Sequence, residues 1–159
     1  MNIRVMITFL AGLILTIMPL PDMLVQFRPP WILLILLYMQ FYLPHYFNVT
    51  LIFILGLMLD SLLATVIGEH ALILCVVAWL ATSKTRRFAL FSIGQQMIFI
   101  AFFAMVYQIG IALIDSFLGY RATLESILGA GLVSVLVWPW LSWMGGKWLL
   151  ESYSQAKRA

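Results

Sequence analysis

The stretch from Pro29 to Leu59, PPWILLILLYMQFYLPHYFNVTLIFILGLML, contains no Asp, Glu, Lys or Arg. A helix crossing the hydrocarbon core of a bilayer needs about 20 consecutive, mostly apolar residues, so the stretch is too long for one crossing. Its own punctuation divides it. Pro30 can open a helix because the first-turn N–H it lacks has no intrahelical partner anyway. Pro44 ends that helix, residues 44–47 turn the chain, and Asn48 can cap a second helix that starts at Val49. Three further charge-free runs lie on either side: Val5 to Pro21, Phe88 to Ile114, and Ser126 to Gly146. Water does not select such runs; a bilayer does. The fold class that follows is all-α, a polytopic transmembrane helical bundle.

The whole composition agrees. Hydrophobic residues make up 64% of the 159 and charged residues 9%, and the mean hydropathy is +1.07. Residues 1–159 read as a single integral membrane domain, because the longest polar stretch is the tail Glu151 to Ala159. About six spans are expected, at 5–20, 31–43, 49–67, 71–83, 88–118 and 124–150. The first resembles a signal peptide but ends in Met18-Pro19-Leu20-Pro21 without an Ala-x-Ala site, so it is read as uncleaved. The fifth is long enough to tilt, and Pro139 is predicted to kink the sixth. No internal repeat is visible.

Basic residues set the orientation. With the N-terminus in the cytoplasm, the inside carries Arg4, Lys84, Arg86, Arg87, Lys147, Lys157 and Arg158, and the outside carries Arg28 and Arg121. Both termini are therefore expected in the cytoplasm. Trp138, Trp140, Trp143 and Trp148 then fall near the inner headgroups and Trp31 near the outer ones, as interfacial tryptophans do.

Several function classes drop out. A net charge of +3 without a Lys/Arg-rich block excludes nucleic-acid binding. Cys75 is the single cysteine and reads as a small buried hydrophobe. His45 and His70 sit in turns, with no HExxH motif and no Cys/His spacing, so no metal is expected. Walker loops, dinucleotide glycines and serine-nucleophile motifs are missing too. No enzyme and no cofactor are expected.

The polar residues inside the spans carry what chemistry remains. Steps of four from Gly56 reach Asp60, Ala64 and Gly68, one acid on a stripe of small residues. Such a carboxyl should face protein rather than lipid. It is either a polar site in the bundle or at a partner interface, or a carboxyl hydrogen-bonded to a neighbouring helix. Asp60→Asn is expected to be tolerated and Asp60→Lys to disrupt the bundle. In the fifth span Ala101, Ala104, Gln108, Ala112 and Asp115 form a stripe expected to pack inward, and Gln95 and Gln96 lie nearer the inner side. Ser126, Ala130 and Ser134, beside Gly129 and Gly131, make a small-residue seam for close packing, within the chain or on another protein. Arg28, held beside Pro29-Pro30-Trp31, either snorkels to headgroups or holds an anion. Asp22 with Arg28, and Asp115 or Glu125 with Arg121, would be surface pairs worth little.

The order of features is a family pattern. Ile17-Met18-Pro19-Leu20-Pro21-Asp22, Phe27-Arg28-Pro29-Pro30-Trp31, the apolar run Ile32 to Tyr38, Leu43-Pro44-His45, Asn48-Val49, Gly56-Leu57-Met58-Leu59-Asp60 and Val137-Trp138-Pro139-Trp140 together resemble the MreD family of rod shape-determining proteins, in its gammaproteobacterial form. The proline-flanked Phe-Arg-Pro-x-Trp segment is the most specific part. One departure is that Ser61 to Ile67 holds no glycine before Gly68, where the family has a glycine-rich turn soon after the acid.

The resemblance implies a fold similar to the S components of energy-coupling-factor transporters. It implies a non-enzymatic scaffold subunit of the elongasome, the Rod complex, in the bacterial inner membrane. MreC is the implied direct partner, with MreB, RodA and a class B penicillin-binding protein in the same complex, and membrane lipid around it. Arg28, Trp31, Ser126, Ala130 and Ser134 are the expected partner interface; Gly56, Asp60, Gly68, Gln108 and Asp115 are the expected polar and packing site. The alternative is an S-component-like protein that binds or transports a small solute.

Overall fold

A computed structural model describes residues 3–18, 29–43, 48–82, 88, 90–119 and 124–146. Among them the chain forms helices α1 (Ile3–Ile17), α2 (Trp31–Tyr42), α3 (Val49–Leu63), α4 (Glu69–Thr82), α5 (Ile93–Phe117) and α6 (Leu124–Gly145), and no strand.

Helix α2 is the axis of the bundle. A helix that is apolar all round has no face to offer water and belongs in an interior, and every residue from Ile32 to Phe41 is buried. α1, α4 and α6 pack on it. The α3–α4 and α5–α6 hairpins make the most extensive helix pairings, and α4 packs on α5 to join them. Aromatic rings fill the centre: Phe41 stacks on Phe88 at 3.7 Å, and Trp138 meets Phe88 edge-on at 5.8 Å.

The outer surface inverts the pattern of a water-soluble protein. Leu10 and Ile14 on α1, Leu113 and Phe117 on α5, and Leu136 and Trp140 on α6 are all exposed. Two segments, Ile93–Phe117 and Leu128–Gly145, are long and apolar enough to cross a membrane. The other four helices are 12 to 15 residues long. At 1.5 Å per residue α2 covers about 18 Å, against a hydrocarbon core of about 30 Å. Its short length suits a helix enclosed by longer ones.

Several boundaries differ from the sequence reading. The third helix ends at Leu63, not at residue 67, because Ala64 turns left-handed with φ 53°. The turn closes with the Thr65 N–H bonded to the Asp60 carbonyl at 3.1 Å, and α4 then begins at Glu69 rather than residue 71. The fifth helix begins at Ile93 rather than residue 88. There the Gln95 side chain accepts from the Ser92 N–H at 3.2 Å, the returning half of a capping box. Residues 19–20 and 147–150 of the expected first and sixth spans lie outside the described residues, as do Arg28, His45 and Arg121.

Ala64 takes a left-handed position that a glycine would occupy without strain. Left-handed backbone costs a residue with a Cβ roughly 1 kcal/mol. Ala64→Gly is expected to keep the hairpin and raise stability by about 0.5 kcal/mol, after the extra entropy of an unfolded glycine is subtracted. A lower thermal midpoint in detergent would contradict that account.

Candidate functional site

The polar centre of the molecule is built by the α3–α4 hairpin. Asp60 stands in the last turn of α3, and the left-handed Ala64 brings the chain back so that α4 starts beside it. The first N–H groups of a helix have no intrahelical partner. Asp60 supplies one from outside the helix: Oδ1 accepts from the His70 N–H at 2.8 Å and Oδ2 from the Gly68 N–H at 2.8 Å. The His70 ring adds a bond from Nδ1 to Oδ1 at 2.9 Å, and the Thr65 hydroxyl reaches Oδ1 at 3.4 Å. A carboxylate can only accept, so the ring donates from Nδ1, which fixes its tautomer. Asp60 is fully buried and the His70 side chain is 8% exposed. Four donors on one acid, with the negative end at a helix N-terminus, make a clamp between two helices. The His70 ring then meets Tyr107 of α5 at 6.1 Å, tilted by 62°.

One turn before Asp60, Gly56 lets the same two helices touch. A Cβ at Gly56 would lie 2.2 Å from the Ala71 Cα and 2.7 Å from its N. Gly56 and Asp60 thus share one face of α3, as the four-residue step predicted. Ala64 and Gly68 do not continue that face: the helix has ended, and Gly68, at φ 100°, contributes its N–H to the clamp instead.

A second polar centre ties α5 to α2 and α6. The Gln96 Oε1 accepts from Trp138 Nε1 at 3.2 Å and from the Tyr42 hydroxyl at 3.3 Å, while its Nε2 donates to the Phe91 carbonyl at 3.1 Å. Gln40 pins α2 to α4 through Nε2 bonds to the Ala78 carbonyl at 2.7 Å and to the Thr82 hydroxyl at 2.9 Å.

The expected inward stripe of α5 is rotated. Its buried residues are Gln96, Ile100, Phe103, Ala104 and Tyr107, whereas Ala101, Gln108, Ala112 and Asp115 are half-buried at the margin of that face. Of the expected stripe only Ala104 is buried, and the large side chains of Ile100, Phe103 and Tyr107 take the interior positions beside it.

The seam on α6 is turned into the protein. Ala130 and Ser134 are buried, and the Ser134 hydroxyl donates back to the Ala130 carbonyl at 2.6 Å. They pack this chain on itself, the within-chain alternative for the seam, and are not exposed as the expected partner interface would have them. The opposite face, Leu128, Leu132, Leu136 and Trp140, is the exposed one. The side chain of Ser126 and all of Arg28 lie outside the described residues, and Trp31 is half-buried at the start of α2.

His70 is the residue that sequence reasoning passed over. A lone histidine after a turn carries no motif. The available signal was an acid near one helix end with a histidine opening the next. Among the described residues no group of three or more His, Cys, Asp or Glu is placed to hold a metal ion.

Residues 2–144 match the family profile described as rod shape-determining protein MreD. The chain is also similar to the rod shape-determining protein MreD of Haemophilus influenzae, at 28% identity over 138 residues, which is 84% of this chain and 82% of that protein. No solved structure matches. With the family pattern running through the apolar helices and through the turn that Asp60 clamps, the chain belongs to the MreD family of membrane-associated rod shape-determining proteins.

Proposed function

We propose that this protein is a non-enzymatic scaffold of the elongasome that binds MreC in the bacterial inner membrane. Through that contact it supports rod shape and lateral peptidoglycan synthesis, in a complex with MreB, RodA and a class B penicillin-binding protein. It spans the membrane about six times in an S-component-like arrangement, with both termini cytoplasmic. The observation that carries this reading is the family match over residues 2–144. The geometry supports it: Asp60, His70, Gln96 and Trp138 spend their polar groups on one another and on local backbone, which rigidifies the bundle, while α6 presents an apolar row at Leu128, Leu132 and Leu136. A transmembrane segment packs against such a row through van der Waals contact. The same clamp weighs against a solute pocket around Asp60, because donors of its own hairpin already occupy the carboxylate.

Affinity purification of the full chain in mild detergent is expected to recover MreC in stoichiometric amount. A photo-crosslinking residue at Leu132 or Leu136 is expected to give an MreC adduct. Recovery of the chain without MreC would overturn the reading; adducts from other helices alone would move the interface off α6.

A further inference from the structure

Glu69 is a buried acid that the Asp60 clamp does not use. It opens α4, ahead of residue 71 where the expected span starts, and it is 3% exposed. Among the described residues the one ion pair joins His70 to Asp60, so no cation among them is bonded to Glu69. A buried charge without a counter-charge is costly, and such a group neutralises instead.

Its surroundings are negative. Glu69 stands between Gly68 and His70, the two residues whose N–H groups hold the Asp60 carboxylate, so the Asp60 charge lies close to its backbone. Asp115 of α5 adds a second negative charge that acts on Glu69. His70 and Tyr107, whose rings meet, are the other titratable groups at this corner. Helix α2 also packs on α4, but its tyrosines, Tyr38 and Tyr42, lie toward the end where Gln40 meets Thr82.

The start of a helix favours an anion. Here Asp60 takes that preference. The Gly68 and His70 N–H groups go to its oxygens, and the Glu69 N–H goes to the Val66 carbonyl at 3.1 Å. The Val66 backbone remains to favour a Glu69 anion. Burial, then Asp115 and Asp60, outweigh it and hold the Glu69 carboxyl above the ordinary glutamate range. The unfolded chain therefore gives up this proton at lower pH than the folded one does. The stability it lends is present under mildly acidic conditions and is lost as the pH rises.

We propose that Glu69 is a pH-sensitive latch on the α3–α4 turn: with a proton bound the turn stays closed around Asp60, and ionisation sets two carboxylates against each other and loosens it. The proton is the sole ligand of this latch, so it stands apart from the partner assigned above.

The test compares the full chain with Glu69→Gln, which keeps the shape of the protonated acid and cannot ionise. Thermal midpoints would be followed in one mild detergent from about pH 5.5 to about pH 8, a range in which ordinary carboxyls stay ionised. His70 titrates in both proteins, so the gap between them reports Glu69. The two midpoints are expected to agree at the acid end. At the alkaline end Glu69→Gln should melt about 3 °C higher. An infrared difference spectrum between the two ends should carry the C=O band of a protonated carboxyl in the wild type and lose it in Glu69→Gln. A gap that stays constant with pH, a lower midpoint for Glu69→Gln at the alkaline end, or an infrared band unchanged by the substitution would each overturn the proposal.

Discussion

Asp60→Asn is expected to destabilise the protein by about 3 kcal/mol, although it keeps the size and shape of the side chain. The reason is the sign of its contacts. Every partner of Asp60 points a donor at it: two backbone N–H groups, a ring N–H and a hydroxyl. Asparagine offers one acceptor oxygen and turns an NH₂ toward the other donors. If its oxygen serves the His70 backbone and ring, the Gly68 N–H faces another donor in a buried place. An unsatisfied buried donor costs about 1–3 kcal/mol, and bonds to a charged acceptor are worth more than neutral ones. The view from sequence, that Asn would be tolerated, assumed a single interhelical bond of a kind an amide can replace. Asp60→Lys should be worse still, since it removes the acceptor and adds a cation beside helix-terminal N–H groups. His70→Ala should cost less, about 1–2 kcal/mol, because it deletes the ring contact but leaves both backbone donors paired. Thermal midpoints in detergent and accumulation in membranes would rank the three. A midpoint for Asp60→Asn equal to the wild type would remove the clamp from the account.

The clamp also marks how far the sequence could be read. Absence of charge disclosed the helices, because membrane insertion depends on composition over about 20 residues. The central helix was bounded closely, at 31–43 against Trp31–Tyr42, because prolines mark its start and end. Asn48 was legible as a cap, and its side chain does accept from the Thr50 N–H at 3.4 Å. The end of α3 was not legible. Nothing in Ser61 to Ile67 forbids a helix, and the turn is made by an alanine in a conformation alanine disfavours. What holds it there is Asp60 reaching across to α4, a tertiary contact with no local signature. The faces of α5 and α6 were legible only in part, for a related reason. Small residues at four-residue spacing show where helices can approach closely, but not which neighbour they meet. On α6 that neighbour is the chain's own interior, and on α5 the aromatic side chains of Phe103 and Tyr107 took the buried positions.

Gly56→Ala is expected to have the largest effect of any single methyl added to this chain. The added Cβ would meet the Ala71 Cα at 2.2 Å and the Ala71 N at 2.7 Å. Both atoms are backbone, so no side-chain rotation relieves the overlap; α3 and α4 must separate. Separation acts on the clamp as well. Asp60 lies one turn further along the same face, and its bonds to the Gly68 and His70 N–H groups are both 2.8 Å. Hydrogen bonds weaken quickly once the distance passes 3.2 Å. The cost therefore combines overpacking, about 1–3 kcal/mol, with loss of a buried charged network, which is of similar size. A total of about 4 kcal/mol is a large fraction of the 5–15 kcal/mol typical of a folded domain, so accumulation in the membrane should fall sharply. Ala71→Gly should rescue little, because it removes only the Cβ contact and leaves the backbone atoms in place. Gly110→Ala is the matched control. The three atoms nearest its new Cβ all belong to the Ile73 side chain, the closest being Cδ1 at 2.7 Å, and Ile73→Val deletes that atom. Gly110→Ala should thus be mild and rescued by Ile73→Val. Rescue of Gly56→Ala by Ala71→Gly, to the level of the wild type, would mean that the helices meet through side chains and that the close backbone contact is not what joins them.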